Sequence, residues 1–138
     1  MEKQAELLKI KGNKEFKKGN ISKSIELYTQ SIGLYPTSIS YSNRSFAYYK
    51  LEEFDKSLED ATTSVQLDMH YPKGYFRRAE AHMALNNYDQ ALKDYEHTNA
   101  LQPSPEISGK IDKCKKTKQD EIIKKERNAT MNSGNLIV

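Results

Sequence analysis

The sequence has little of what cross-links a chain or breaks it into loops. Its 138 residues include one cysteine, six glycines and four prolines. The single Cys114 cannot form a disulfide within the chain, and so few turn-forming residues argue against a loop-rich β fold. No apolar run approaches the roughly 20 residues of a membrane span, and Met1-Glu2-Lys3 does not begin a signal peptide. We therefore expect no transmembrane segment. We also expect a reducing compartment, which is the cytoplasm or, as a second location, the nucleus.

Residues that carry catalytic or metal chemistry are also scarce. His70, His82 and His97 do not have metal-ligand spacing to one another or to Cys114. The chain contains no glycine-rich phosphate loop and no nucleophile elbow. We therefore expect no catalytic residue, no metal site and no cofactor in this chain, and a binding function rather than an enzymatic one.

Basic charge is concentrated near the C-terminus. Residues 110–127 hold eight Lys or Arg and four Asp or Glu, whereas the whole chain has a net charge of +3. A helix of this composition is a candidate for binding nucleic acid or an acidic membrane. Acidic residues interrupt the lysines, however, and no exposed aromatic accompanies them for base stacking. We expect no nucleic-acid partner and interpret the segment as a helical cap.

What the sequence does contain is an internal repeat. The small residues Gly12, Ser45 and Ala79 are equivalent and lie 33 and 34 residues apart. Within each unit the apolar residues follow the i, i+3, i+4, i+7 spacing of a helix, and a break in mid-unit divides it into two antiparallel helices. The breaks fall at Lys18-Gly19-Asn20, Glu52-Glu53 and Asn86-Asn87. Other positions in register are small (Ser24, Ser57, Ala91; Ser31, Ser64, Thr98) or large (Phe16, Tyr49, Met83; Leu34, Leu67, Leu101).

Alternating small and large residues let neighbouring helices approach closely and fill the gaps between them. We predict an all-α fold, a right-handed α-solenoid of three helix pairs followed by a capping helix. The pairs are expected at about residues 5–37, 38–71 and 72–104, the cap at 105–127 and a disordered tail at 128–138.

The capping helix has its own start signal and its own apolar face. Ser104 suits the N-cap and Pro105 the first helical position. Ile107, Ile111 and Cys114 would then cover the apolar face that the third pair leaves open. Cys114 is accordingly interpreted as a small buried residue rather than a reactive thiol.

A period of 34 residues with this order of small, aromatic and proline positions resembles the tetratricopeptide repeat. The resemblance covers about residues 5–104. Ala61 stands where the other two units have Tyr28 and Tyr95, which implies a smaller contact in the middle unit. Met69 replaces the proline that closes the other two units.

In a stacked array the first helices of the pairs line the concave side. Helical spacing places a set of basic and amide side chains there, and no acidic residue is expected among them. Like charges this close repel, so the set favours an anionic ligand. Its members are Lys9, Asn13, Asn43, Lys73 and Arg77, with Phe16, Phe46, Ala47 and Lys50 as weaker groove candidates.

The segments Lys9 to Asn13, Ser42 to Ser45 and Lys73 to Ala79 resemble the dicarboxylate-clamp repeats of heat-shock co-chaperones. That resemblance implies, as partner, the C-terminal tail of heat shock protein 90 or heat shock protein 70, which ends Glu-Glu-Val-Asp. It further implies the following roles. The terminal main-chain carboxylate is held by Lys9, Asn13 and Asn43, the terminal Asp side chain by Lys73, and a peptide carbonyl or upstream acid by Arg77.

Within that group, residues 42–48, 73–79 and 91–96 are most similar to the repeat domains of the serine/threonine protein phosphatase 5 family. There the repeat domain folds over a catalytic domain and is drawn off by the chaperone tail or by fatty acid, and the position of Lys50 takes part in both. The resemblance implies a phosphatase catalytic domain in the same parent chain as a second partner. A stand-alone relative and an adaptor for another acidic peptide are the alternatives.

Overall fold

The computed structural model describes residues 1–137, with side chains as far as Ser133, and every regular element among them is a helix. The helices are α1 (Glu2–Lys17), α2 (Ile21–Leu34), α3 (Ser38–Lys50), α4 (Phe54–Leu67), α5 (Pro72–Ala84), α6 (Tyr88–Leu101) and α7 (Pro105–Ile137).

The helices pack in sequence order as three antiparallel pairs. α1 packs on α2, α3 on α4 and α5 on α6, and each pair packs on the next through α2–α3 and α4–α5. The first helices also touch one another, because α3 contacts both α1 and α5. α7 packs on α6 and covers the last pair. This arrangement confirms the all-helical solenoid with a terminal helix, and it gives α1, α3 and α5 a shared face.

The same turn ends the first helix of each pair. Gly19, Glu52 and Asn86 have φ values of 86°, 60° and 62°, the left-handed region. In each turn the amide of the following residue donates to the carbonyl five residues earlier. The bonds are Asn20 N to Glu15 O at 2.9 Å, Glu53 N to Tyr48 O at 3.0 Å and Asn87 N to His82 O at 2.8 Å. This hydrogen bond is that of a Schellman motif. The mid-unit breaks predicted from the sequence are confirmed.

Close packing within each pair rests on the small residues in register. A Cβ atom on Gly12 would lie 2.6 Å from the ring of Tyr28 on α2. In the second pair Ser45 and Ser57 are buried, and each hydroxyl donates to the main-chain carbonyl of the other at 2.8 Å. Serine is therefore tolerated in these seams because the facing helix satisfies its hydroxyl.

Two ion pairs repeat along the array and were not predicted from the sequence. Arg44 binds both carboxylate oxygens of Asp60 at 2.7 and 2.8 Å. Arg78 binds Asp94 in the same way at 2.8 and 3.0 Å. Both Asp carboxylates are buried, and burial raises the pKa of Asp60 although Arg44 opposes the shift. The pairs tie the first helix of a unit to the second.

α7 begins as its sequence predicts. The Ser104 hydroxyl accepts a hydrogen bond from the amide of Ile107 at 3.2 Å, and Pro105 is the first helical residue. Ile107 and Cys114 are buried, and Cys114 lies in a cluster with Ala79, Ala91 and Tyr95. Burial raises the pKa of the Cys114 thiol. The interpretation of Cys114 as a buried packing residue is confirmed.

The C-terminal part differs from the expectation. A cap ending at 127 and a disordered tail from 128 were predicted, yet α7 continues as a helix to Ile137, and Val138 lies outside the described residues. The side chains of residues 122–133 are all exposed. No proline interrupts the stretch, but residues 128–137 are rich in Asn, Ser, Thr and Gly, which have low helix propensity. Neither packing nor propensity therefore predicts the extension. Among the helices described, none combines the length and apolar character needed to cross a membrane.

Candidate functional site

The groove is formed by the shared face of α1, α3 and α5, and the two asparagines predicted for it meet there. The side-chain amide of Asn43 on α3 donates to Asn13 Oδ1 on α1 at 3.1 Å. The hydroxyl of Tyr28 on α2 donates to the same oxygen at 2.6 Å. A carbonyl oxygen has two lone pairs, so both are used. The Nδ2 group of Asn13 is left as the donor of that side chain, which suits an acceptor such as a carboxylate.

Lys9 lies one turn before Asn13 on α1, on the same helix face. Its side chain is only 14% exposed, and its Nζ lies 2.9 Å from a carboxylate oxygen of Glu6. Glu6 itself is 55% exposed, so the pair is a solvent-screened contact of small free energy. A ligand carboxylate can therefore take the place of Glu6 at little cost.

Arg77 on α5 brings an unsatisfied polar group to the groove. Its Nε is buried and has no hydrogen-bond partner among the residues described. Burial lowers the pKa of the guanidinium, an effect that the charge of Glu80 opposes. Arginine nevertheless stays charged at any physiological pH. A buried donor without an acceptor is unfavourable, and a ligand oxygen would satisfy it once the side chain turned toward the groove.

An aromatic floor joins the three helices. The Phe46 ring on α3 lies 5.0 Å from the Phe16 ring on α1, measured between centroids. The guanidinium carbon of Arg77 lies 3.7 Å from the Phe46 centroid, and Lys50 Nζ lies 5.2 Å from it. Both contacts have cation–π geometry. Among the weaker candidates from the sequence, Phe46 thus contacts the groove arginine, and Phe16 and Lys50 contact Phe46.

The prediction that Ala47 lines the groove is wrong. Ala47 was placed there because it follows Asn43 by four residues, but its side chain is fully buried at 0% exposure. The neighbouring residue Phe46 takes the groove position instead, and Ala47 lies about 100° further around the helix, in the core. It has no surface to offer a ligand.

Lys73 stands in the first turn of α5, one turn before Arg77, and is exposed. It forms no ion pair with any residue of the described chain within 4.0 Å. Together with Arg77, Phe76 and Glu106 it lines an open depression at the end of the groove toward α7. Its ammonium group is therefore available to an anion.

Sequence reasoning missed two residues of the groove, Tyr28 and Glu80. Tyr28 orients Asn13, as described above. Glu80 on α5 is an acid where none was expected, and it accepts hydrogen bonds from the Tyr95 hydroxyl and from Lys110 Nζ, the latter at 3.1 Å. The sequence does contain a signal for both residues. Asn13 and Glu80 occupy equivalent positions of their repeats, and so do Tyr28 and Tyr95, which bind them.

No group of three His, Cys, Asp or Glu in the part of the chain that the structure describes is placed to hold a metal ion. The groove itself offers amide donors, three lysines, an arginine and an aromatic surface. Such a set is chemically suited to a carboxylate-bearing, partly apolar ligand.

The model of the family described as "Tetratricopeptide repeat" matches residues 72–105. The solved structure "First TPR of Spaghetti (RPAP3) bound to HSP90 peptide SRMEEVD" superimposes with a TM-score of 0.83 and 34% identity, covering 85% of this chain and 94% of that one. This chain belongs to the tetratricopeptide repeat family. As a tetratricopeptide repeat domain it is a protein-interaction module.

Two further relatives are informative. Rat serine/threonine-protein phosphatase 5 is 41% identical over 123 residues, which cover 88% of this chain but 23% of that protein. The resemblance to phosphatase 5 that the sequence indicates is confirmed, and this chain spans about a quarter of that relative. The second tetratricopeptide domain of human RPAP3, in complex with the HSP70 peptide SGPTIEEVD, has a TM-score of 0.77 and 31% identity over 81% of this chain and 95% of that one.

Proposed function

We propose that this domain binds the free C-terminal tail of heat shock protein 90 or heat shock protein 70, ending Glu-Glu-Val-Asp, in the groove of α1, α3 and α5. The observation that carries the proposal is the groove's unmet demand for acceptors. Asn13 presents only its amide donor, and Arg77 has a buried Nε without a partner in the part of the chain that the structure describes. The solved relatives bound to SRMEEVD and SGPTIEEVD support this ligand class.

The residue types suit a terminal aspartate. Such a residue carries two carboxylates, one of the main chain and one of the side chain, and an internal aspartate carries only one. Lys9, Asn13 and Asn43 hold the main-chain carboxylate, since the amides of the two asparagines meet there. Lys73 takes the side-chain carboxylate, and Arg77 takes a peptide carbonyl or an upstream acid.

The aromatic floor provides the apolar part of the site. Phe16 and Phe46 are partly buried and in contact, so they present a ring surface beside the polar donors. A valine next to the terminal aspartate would bury its side chain on these rings, while Lys50 beside Phe46 adds positive charge at the groove edge.

We further propose that the domain is the regulatory and targeting part of a phosphatase 5-like enzyme of the cytoplasm and nucleus, with the phosphatase catalytic domain as a second partner. The 41% identity to phosphatase 5 supports this origin. The alternative to the chaperone tail is another acidic peptide, and the binding experiment separates these two ligands.

Isothermal titration calorimetry with Met-Glu-Glu-Val-Asp, as free acid and as C-terminal amide, tests the proposal. We expect the free acid to bind with a Kd of about micromolar order and the amide to bind at least about tenfold more weakly. A longer tail ending Thr-Ile-Glu-Glu-Val-Asp compares the two chaperones. Equal binding of acid and amide, or no binding of either, would contradict a carboxylate clamp and leave another acidic partner.

A further inference from the structure

Glu80 is an acid inside a groove that is proposed to bind acids. It lies three residues after Arg77 on α5, a spacing at which opposite charges on a helix readily pair. Both side chains line the same small cavity, together with Phe46 and Tyr49. Yet Arg77 Nε has no hydrogen-bond partner in the described part of the chain, and no Arg77–Glu80 ion pair forms within 4.0 Å.

Two residues from outside the groove donate hydrogen bonds to the Glu80 carboxylate instead. The Tyr95 hydroxyl on α6 donates to one carboxylate oxygen, and Lys110 Nζ on α7 lies 3.1 Å from the other. Tyr95 is 1% exposed, so its hydroxyl is held in place by the core. Lys110 belongs to the turns of α7 that pack on the array, between the buried Ile107 and Cys114. Each oxygen of Glu80 therefore accepts a hydrogen bond from a residue other than Arg77.

We infer that Tyr95 and Lys110 are positioning residues of the groove, which hold Glu80 off Arg77 and so keep the guanidinium free for an acidic peptide. The inference rests on the proposed function. It makes the docking of α7 a determinant of peptide affinity, although α7 contributes no residue to the clamp itself. Without its two donors, Glu80 is an intramolecular competitor for Arg77.

The register of the repeats supports this role for the tyrosine. Asn13, Phe46 and Glu80 are equivalent positions along the groove, and the facing positions on the second helices are Tyr28, Ala61 and Tyr95. Where the groove residue is polar, a tyrosine hydroxyl binds it. Where it is Phe46, the facing residue is alanine and no hydroxyl is present. Tyrosine at this position thus accompanies a groove side chain that needs orientation.

The test is a comparison of Lys110→Met with Lys113→Met, titrated with Met-Glu-Glu-Val-Asp free acid. Lys113 lines the same depression as Lys110 on α7, and it makes no ion pair in the described chain. Each variant removes one positive charge at the same end of the groove, so they share the long-range electrostatic loss. We expect Lys110→Met to weaken binding about five- to tenfold and Lys113→Met to weaken it less than about twofold.

A rescue variant separates competition by Glu80 from simple loss of charge. Glu80→Gln combined with Lys110→Met should bind as tightly as Glu80→Gln alone, because the competitor is gone. Unfolding curves followed by circular dichroism verify that each variant is folded. Equal losses for Lys110→Met and Lys113→Met, or absence of rescue by Glu80→Gln, would overturn the inference.

The Arg77 Nε–H signal in nitrogen-15 NMR spectra reads the same event without any peptide. We expect this signal to move in Lys110→Met, as the proton gains an acceptor, to stay in Lys113→Met, and to return in the double variant. An unmoved signal in Lys110→Met overturns the inference. Failure of the unmodified domain to bind the free acid instead overturns the proposed function, and the two failures are therefore distinct.

Discussion

The guanidinium carbon of Arg77 lies 3.7 Å from the centroid of the Phe46 ring, so the principal cation of the groove rests on its aromatic floor. Phe46 in turn contacts Phe16, and the three side chains come from α5, α3 and α1. One stacked cluster thereby links the first helices of all three repeats. It holds Arg77 in an orientation that leaves Nε buried and without an acceptor among the described residues.

Replacing Phe46 with leucine should weaken peptide binding without changing any charge. Leucine keeps the site apolar but removes the ring face under Arg77, a contact of about 0.5–2 kcal/mol. We expect the Kd for the free-acid peptide to rise about threefold or more in calorimetry. An unchanged Kd in a folded variant would show that the stacked orientation of Arg77 is irrelevant to binding.

Tyr28→Phe tests the orientation of Asn13. Removing the hydroxyl deprives Asn13 Oδ1 of its 2.6 Å donor, so the amide loses one of the two bonds that set its orientation. We expect the free-acid peptide to bind about three- to tenfold more weakly. The amidated peptide serves as the comparison. It lacks the terminal carboxylate that Asn13 is proposed to hold, so its Kd should change by a smaller factor. A parallel loss for both peptides would point to general damage to the groove.

Gly12→Ala should destabilise the domain even though alanine is the better helix former. The added Cβ would lie 2.6 Å from the Tyr28 ring, which is buried and cannot move aside freely. We expect a loss of about 1–3 kcal/mol in the free energy of unfolding, measured by urea denaturation. Gly33→Ala on α2 is the matched control, because nothing lies within 4 Å of its Cβ, and it should stabilise by about 0.5–1 kcal/mol.

Glu52→Gly should stabilise the domain. Glu52 has a φ of 60°, where a side chain is unfavourable and glycine is not, and the equivalent residue of the first repeat is Gly19. We expect a gain of about 1 kcal/mol in the free energy of unfolding. Glu53→Gly is the comparison, because Glu53 has a φ of −90° and gains nothing from glycine. A loss of stability in Glu52→Gly would contradict the proposed strain.

The helix pairs and their turns could be predicted from the sequence because each occurs three times. The closing helix could be predicted because Ser104 and Pro105 mark its start. The same turn is marked three times, by Gly19, by the Glu52-Glu53 pair and by Asn86-Asn87. Each turn contains one residue in the left-handed conformation, as predicted. The groove residues could be chosen because first-helix positions on one face are fixed by helical spacing once the register is known.

What the sequence could not supply depends on neighbours distant in the chain. Phe46 and Ala47 were both groove candidates, and the packing of α3 between α1 and α5 decides that Phe46 lines the groove and Ala47 is buried. The partners of Glu80 come from α6 and α7, so its role requires the position of α7 on the array. The helical extension beyond 127 has no apolar pattern to reveal it, and its described side chains, residues 128–133, are exposed.

The most direct test of the carboxylate clamp is calorimetry of Arg77→Ala with the free-acid peptide, beside the unmodified domain. If Arg77 supplies a buried donor to the ligand, its removal should cost about 2–4 kcal/mol of binding free energy while helix content is unchanged. Binding by Arg77→Ala with the affinity of the unmodified domain would contradict the account.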